Sequence, residues 1–358
     1  MARIDSFLRL VVEQNASDLH MRAGHVPVIR HCGDLHALPF RTLSQEEASR
    51  LIEEILPVEQ RQKLTRAQEI DFAYNIEGVG RFRGHAFLHA GGIGAVFRAI
   101  PTKVPTIDEL ALPVVLKSLA RETKGLILVT GPTGSGKSTT MAAMVREINE
   151  TSARHIITLE DPIEFVHEPM RSIVTQRQVG SHAETFASGV RSALREAPDV
   201  LVVGELRDLE TMSLALTAAE TGVLVIGTLH TRSTVRAIDR IVDTFADDAR
   251  DQARSTLSVA LKAVIAQHLC RSANGESLLP AVEVLLQTYA VAHMIRDNKL
   301  HQLEGYLENQ DPRTSGMQSM DKSIISLFAH GAISQEEALR GLSAPEVLER
   351  AILSPVAL

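Results

Sequence analysis

The chain has 358 residues, more than one compact domain usually holds, so two domains are expected. Hydrophobic residues make up 44% of it and charged residues 23%, and no run approaches the roughly 18 apolar residues that a membrane span needs. The net charge of −7 and the 4% of aromatic residues argue against a nucleic-acid-binding protein. Cys32 and Cys270 stand far apart, which excludes a disulfide framework and a zinc site built from cysteines.

The N-terminal region, residues 1–100, is predicted to be an α+β domain. It opens with MARIDSFLRLVVEQN, which lacks the apolar run of a secretion signal and therefore predicts a cytoplasmic protein. Apolar residues between Ile4 and Val12 share one face of a predicted helix. A second helix is expected over residues 44–56, where Ser44 and Glu47 form a capping-box pattern. Strands are predicted at residues 28–30, 71–76, 80–87 and 95–100.

Residues 101–113 are predicted to be a linker, because Pro101 and Pro105 disfavour regular pairing and stiffen the chain. Strands and helices alternate in the following domain, residues 114–358. The predicted strands are 126–130, 155–159, 200–203 and 223–228, and the predicted helices include 138–149 and 209–219. This alternation indicates an α/β domain whose largely parallel sheet is covered on both faces. Beyond about residue 260 the pattern predicts mostly helix, ending with one over 336–353.

A complete phosphate-loop motif follows the first strand of this domain and precedes its first helix. The sequence satisfies GxxxxGK followed by Ser or Thr, and in that context the motif predicts ATP binding. The glycines let backbone N–H groups face the phosphates, and the helix N-terminus adds partial positive charge. Lys137 is expected to pair with the β- and γ-phosphates, and Ser138 to ligate Mg²⁺. The predicted nucleotide-binding residues are Gly131, Pro132, Thr133, Gly134, Ser135, Gly136, Lys137, Ser138 and Thr139.

Polar residues follow three further strands, and the carboxyl ends of parallel strands are where ligands bind. The first group is the acidic stretch after residue 159, in which Glu164 is the candidate to orient or deprotonate the attacking water. Glu205 ends the next strand and is expected to hold Mg²⁺ partly through water. Asp199 lies at the opposite end of that strand and is interpreted as structural. His230 ends another strand and is predicted to sense the γ-phosphate.

Arginines are relevant because cations accelerate phosphoryl transfer by meeting the developing negative charge. Arg81, Arg83 and Arg98 lie in the first domain, whereas Arg195 and Arg207 flank the strand that ends at Glu205. One hypothesis is that some of them contact phosphate across a domain or subunit boundary. The alternative for each is a solvated surface arginine.

Together these motifs resemble the secretion ATPase superfamily, and within it the PilT-type pilus-retraction ATPases. The resemblance covers nearly the whole chain. Residues 16–20 (ASDLH) are similar to the opening signature of the family, and residues 316–318 (GMQ) to its C-terminal region. The family's Walker A, Asp box, Walker B and His box correspond to GPTGSGKSTT at 131–140, LEDPIEFVH at 159–167, GELRDLET at 204–211 and TGVLVIGTLHT at 221–231.

The resemblance implies a PAS-like N-terminal domain, a RecA-like P-loop ATPase domain and a hexameric ring of identical chains. It further implies a motor that uses ATP and Mg²⁺ and docks, from the cytoplasm, on an inner-membrane platform protein. There it would depolymerise a type IV pilus and so power twitching motility. The site residues implied by the match are Lys137, Ser138, Glu164, Glu205 and His230, with Arg81, Arg83 and Arg98 as arginine candidates.

Two departures from the family pattern leave alternatives open. Val223 stands where the His box usually carries a histidine, and Ala292 and His293 stand where the C-terminal AIRNLI-like helix has Arg and Asn. The chain is therefore either the principal retraction motor or an accessory paralogue. An assembly motor for pilus extension or type II secretion would add a long N-terminal region and, usually, a four-cysteine metal subdomain. A nucleic-acid translocase and a nucleotide-binding scaffold without turnover are the remaining alternatives.

Overall fold

The computed structural model of the protein describes residues 2–31, 33–100 and 103–353, with side chains up to residue 349. The chain forms two compact units, Met1–Lys103 and Val104–Leu358. Within the described residues, no helix is both long and apolar enough to cross a membrane.

The first unit is a six-stranded antiparallel sheet with three helices. Its strands follow the order β3-β2-β1-β6-β5-β4. The sheet buries one face, on which Leu19, Phe82 and Phe97 form a core with Leu8 and Ile52 of the helices. In chain order the elements are α1 (Asp5–Glu13), β1 (Asp18–Arg22), β2 (Val28–His31), β3 (Asp34–Ala37), α2 (Gln45–Glu53), α3 (Val58–Ala67), β4 (Glu69–Ile76), β5 (Gly80–His89) and β6 (Gly92–Ile100).

The helices and strands predicted for this region are confirmed. The capping box of α2 is present, because Glu47 N donates to Ser44 Oγ (3.2 Å) and Ser44 N donates to Glu47 Oε2 (3.1 Å). Helix α3 is an addition that periodicity did not indicate, since its polar sequence buries only Leu64. Strands β1 and β3 are also additions; both are short, and every residue of β3 is exposed.

The second unit is built on a seven-stranded sheet of order β13-β12-β7-β11-β10-β8-β9. Neighbouring strands are parallel except β12 and β13, which confirms the predicted α/β sheet. The strands are β7 (Gly125–Thr130), β8 (His155–Glu160), β9 (Ile173–Gln178), β10 (Val200–Val203), β11 (Leu224–Leu229), β12 (Leu261–Arg271) and β13 (Leu278–Leu286).

Helices cover both faces of this sheet, since two separate apolar cores lie on its two sides. One core contains α4 and α5, and the other contains α6 to α10. The helices are α4 (Val115–Ala120), α5 (Lys137–Thr151), α6 (Phe186–Ala193), α7 (Leu209–Glu220), α8 (Thr234–Thr244), α9 (Arg250–Ala260), α10 (Tyr289–Arg296), α11 (Leu303–Glu308), α12 (Pro312–Ser315), α13 (Met320–Ala329), α14 (Gln335–Gly341) and α15 (Pro345–Leu353).

The prediction of mostly helix beyond residue 260 is wrong at its start, where the long strands β12 and β13 pair. The sequence of β12, LKAVIAQHLCR, holds a continuous apolar run only at residues 263–266, and so short a run does not distinguish a buried strand from a buried helix. The single C-terminal helix predicted over 336–353 is also wrong, because residues 342–344 separate α14 from α15.

Most of the predicted linker, residues 101–113, is part of the second unit. Pro101 and Thr102 lie outside the described residues. Residues 104–113 belong to the second unit, because Ile107 and Leu112 are buried in the core that contains α4 and α5. Apolar side chains that find a core hold such a segment in place, even though prolines interrupt its regular structure.

Candidate functional site

Four parallel strands bring the predicted site residues to one edge of the second sheet. Strands β7, β11, β10 and β8 are neighbours in parallel register. Gly131 follows β7, Glu160 ends β8, Glu205 comes soon after β10, and His230 follows β11. Because the carboxyl ends of parallel strands lie at the same edge, this edge is the expected ligand-binding edge.

The phosphate loop has the conformation that its glycines permit. Gly131, Gly134 and Gly136 all have positive φ angles, of 148°, 81° and 86°. Gly136 is the N-cap of α5, so the first turn of a long helix opens at the loop. Free N–H groups and the partial positive charge of that helix end favour an anion here.

The side chain of Lys137 is buried, and its ammonium group is hydrogen-bonded to the backbone of the loop. Its Nζ donates to Gly131 O (2.8 Å) and to Pro132 O (2.9 Å). Burial lowers the pKa of Lys137, and the negative charges of Glu205 and Glu164 partly oppose that shift. An ammonium group forms stronger hydrogen bonds with negatively charged phosphate oxygens than with neutral carbonyl oxygens, so phosphate is the better partner for Lys137.

Gln267 of β12 packs against the phosphate loop. It was not among the predicted site residues. Thr140 Oγ1 of α5 donates to Gln267 Oε1 at 2.7 Å, and both side chains are buried. A Cβ at Gly136 would lie 2.8 Å from Gln267 Nε2, and one at Gly131 would lie 2.5 Å from Gln267 O. The loop therefore needs glycine at both positions, partly because Gln267 approaches so closely. The helical expectation for the region of β12 concealed this residue.

His230 connects the loop lysine to a carboxylate. Its Nδ1 lies 3.4 Å from Lys137 Nζ, and its Nε2 lies 3.1 Å from Glu205 Oε1. The lysine can only donate, so Nδ1 is the acceptor facing Lys137 and Nε2–H is the donor to Glu205. Arg207 Nε also approaches Glu205 Oε1, at 2.5 Å. Burial acts to raise the pKa of Glu205, but the hydrogen bonds from Arg207 and His230 and the charge of Arg207 outweigh it, so that pKa is lowered.

The acids of the 159–167 stretch differ in their surroundings. Glu160 is mostly buried, and burial raises the pKa of its carboxyl group. Glu164 is exposed. Both side chains, together with Ser138 and Glu205, line a cavity of about 70 Å³ whose inner wall includes the apolar Met141, Val145 and Phe186. One water needs about 10–15 Å³ of such volume, so this cavity has room for several beside the phosphate loop.

The remaining candidates are on other elements of the chain. Asp199 Oδ2 accepts from His155 N (2.8 Å) at the far end of the strands, which fits a structural role. Arg81, Arg83 and Arg98 belong to the first unit. There Arg83 lies opposite Arg98 in the β5–β6 register, and Arg98 Nε donates to Asp18 Oδ1 (2.9 Å).

The chain is similar to known secretion and pilus ATPases over most of its length. The family model of type II/IV secretion system proteins matches residues 2–303. The type IV pilus retractation ATPase PilT of Pseudomonas aeruginosa is 45% identical over 343 residues, covering 96% of this chain and 99% of that protein. The type IV pilus ATPase PilU of the same organism is 38% identical over 335 residues, covering 94% and 87%.

A solved structure agrees in fold. The crystal structure of the pilus retraction motor PilT with bound ADP matches with a TM-score of 0.89 at 41% identity, covering 98% of this chain and 99% of that one. This chain thus carries its phosphate loop, the carboxylate of Glu205 and the imidazole of His230 on a fold that matches that structure. The chain belongs to the type II/IV secretion system protein family and is an ATPase.

Proposed function

We propose that this chain is the motor ATPase that retracts a type IV pilus and so powers twitching motility. The observation that carries the proposal is the match to a retraction ATPase across 99% of that protein's length. The arrangement of Lys137, His230 and Glu205 at one sheet edge supports it, because a motor must both bind and hydrolyse ATP.

In the proposed reaction, the phosphates of ATP lie in the loop of residues 131–139. Lys137 exchanges the carbonyls of Gly131 and Pro132 for phosphate oxygens. Glu164, exposed at the cavity, orients or deprotonates the attacking water. His230 contacts the loop lysine and Glu205 at once, so a change at the γ-phosphate can reach both through it.

Mg²⁺ is the metal that this site fits. In the part of the chain that the structure describes, no three His, Cys, Asp or Glu side chains are grouped to hold a metal by themselves. That suits Mg²⁺, which keeps several waters and binds through one or two side chains plus phosphate oxygens. Ser138 and Glu205 line the same cavity and are the proposed protein ligands, with Glu205 acting partly through water. When bound, the ion would neutralise charge on the phosphates.

A homohexamer is the proposed working state, with Arg81, Arg83 and Arg98 serving a nucleotide site. Arg81 and Arg83 are two residues apart on β5 and so share a sheet face with Arg98. Arg98 keeps 69% of its side chain exposed despite its bond to Asp18, and Arg83 keeps 46%. Size measurement with an ATP analogue tests the hexamer, and Arg83→Ala or Arg98→Ala is expected to reduce turnover more than assembly.

We propose a PAS-like fold for the antiparallel first unit and a RecA-like fold for the second. A motor of this kind would work at the cytoplasmic face of the inner membrane, on a platform protein of the pilus.

An accessory retraction ATPase is the second candidate. The match to PilT is closer than that to PilU, at 45% against 38% identity over similar lengths, which favours the principal motor.

Deleting the gene tests the choice between retraction and assembly. Excess surface pili without twitching would support retraction, whereas loss of pili would contradict it.

A further inference from the structure

A single glutamine on the edge strand β9 holds the loop that carries Glu164. Gln176 lies opposite Thr158 in the β8–β9 register. Its Nε2 donates to Glu160 Oε1 (3.1 Å) and to Phe165 O (2.8 Å), and its Oε1 accepts from His167 N (2.8 Å). One side-chain amide therefore makes three hydrogen bonds, two of them to the backbone of the same loop.

Only one orientation of this amide satisfies its neighbours. Glu160 Oε1 and Phe165 O can only accept, whereas His167 N can only donate, so a flipped Gln176 would lose all three bonds. Glu160 is itself held, because its Oε1 accepts a hydrogen bond from Thr158 Oγ1 at 2.6 Å. The mostly buried carboxylate thus fixes the amide, and the amide fixes the loop.

The two backbone groups held by Gln176, Phe165 O and His167 N, belong to the residues one and three positions after Glu164. Phe165 is 7% exposed, so its backbone near the cavity depends on partners within the protein. We infer that Gln176 is a positioning residue for ATP hydrolysis, which acts by holding residues 165–167 so that Glu164 faces the phosphate loop. The inference rests on the proposed role of Glu164 at the attacking water.

This arrangement predicts an effect on the chemical step and little effect on nucleotide binding. In the proposed reaction ADP would occupy the loop of residues 131–139, and it has no γ-phosphate on which Glu164 could direct a water. Misplacing a catalytic group by about 1 Å can cost on the order of 100-fold in rate. Loss of Gln176 should therefore lower kcat while KM for ATP and affinity for ADP stay close to wild type.

The test uses the full chain and a matched control on the same strand. Gln176→Leu removes all three bonds, and Gln176→Glu removes the two donated ones while keeping the size of the side chain. Gln178→Leu is the control, since Gln178 lies two residues on, on the same face, and its side chain has no hydrogen bond to any described residue. We expect a kcat about 10- to 100-fold lower for both Gln176 variants and a near wild-type kcat for Gln178→Leu.

A double variant separates positioning from a general structural role. If Gln176 acts through Glu164, adding Gln176→Leu to Glu164→Gln should slow hydrolysis no further, because the group being positioned is already disabled. If the double variant slows hydrolysis by the product of the two separate losses, the inference is wrong. It is also wrong if Gln176→Leu raises KM with kcat unchanged, or if Gln176→Leu keeps wild-type turnover while Glu164→Gln is slow. Wild-type turnover in Glu164→Gln would instead overturn the proposed role of Glu164.

Discussion

His230 Nε2 lies 3.1 Å from Glu205 Oε1, while the other ring nitrogen of His230 faces Lys137 Nζ at 3.4 Å. The imidazole thus joins the cation of the phosphate loop to the acid of the neighbouring strand. A phosphate entering the loop would draw Lys137 toward it and release one side of His230. In the proposed reaction, this contact would couple the nucleotide state to Glu205, which lies at the cavity beside the loop.

Replacing Glu205 by Gln should stop hydrolysis while ATP stays bound, because the shape of the side chain survives and its charge does not. The expected loss in kcat is at least about 100-fold, the scale on which the loss of one electrostatic contact to developing charge slows a reaction. ATP affinity measured by calorimetry serves as the control. A wild-type rate in Glu205→Gln would show that this carboxylate has no part in the reaction.

Arg207→Ala should shift the acidic limb of the pH–activity profile to higher pH. Arg207 is the first of the partners that lower the pKa of Glu205 against the effect of burial, so removing it raises that pKa. Glu205 then loses its charge at a higher pH as the solution is acidified. His230, Lys137 and Glu164 also face this region and remain in place. The profile of kcat/KM against pH measures the shift, and an unmoved acidic limb would contradict it.

Lys137→Ala should abolish turnover and also the stabilisation of the protein by ADP. A ligand at about 100 times its Kd adds about 2.7 kcal/mol to the free energy of unfolding, which thermal melting detects as a higher Tm. Wild-type protein should show this rise on adding ADP and Mg²⁺. An equal rise in Lys137→Ala would mean that the nucleotide binds elsewhere.

Gly131→Ala should destabilise the nucleotide-free protein more than Gly134→Ala. Both glycines have positive φ, which costs an alanine roughly 1–2 kcal/mol. Only at Gly131 would the new Cβ meet the backbone, 2.5 Å from Gln267 O, whereas nothing lies within 4 Å of one at Gly134. Overpacking of this kind adds about 1–3 kcal/mol. Chemical denaturation of both variants measures the difference, and equal losses would refute the role given to Gln267.

Much of the second unit could be predicted from the sequence because its motifs lie where apolar strands end. The phosphate loop, Glu205 and His230 each follow such a strand, and the parallel sheet brings their side chains together. Gln267 could not be predicted, because the apolar run before it, residues 263–266, is too short to distinguish a strand from a helix. Gln176 carried no signal either, since one glutamine on an edge strand acquires its role only through contacts distant in sequence.

The most direct test of the central claim is the twitching of a strain that lacks its own retraction ATPase and expresses this chain. The same strain expressing Glu205→Gln controls for the need to hydrolyse ATP, and sensitivity to pilus-dependent phage gives a second readout. Restored twitching by the unaltered chain alone is the predicted result. No rescue despite normal hydrolysis would identify an accessory paralogue, and rescue of a strain lacking its extension ATPase would contradict the retraction account.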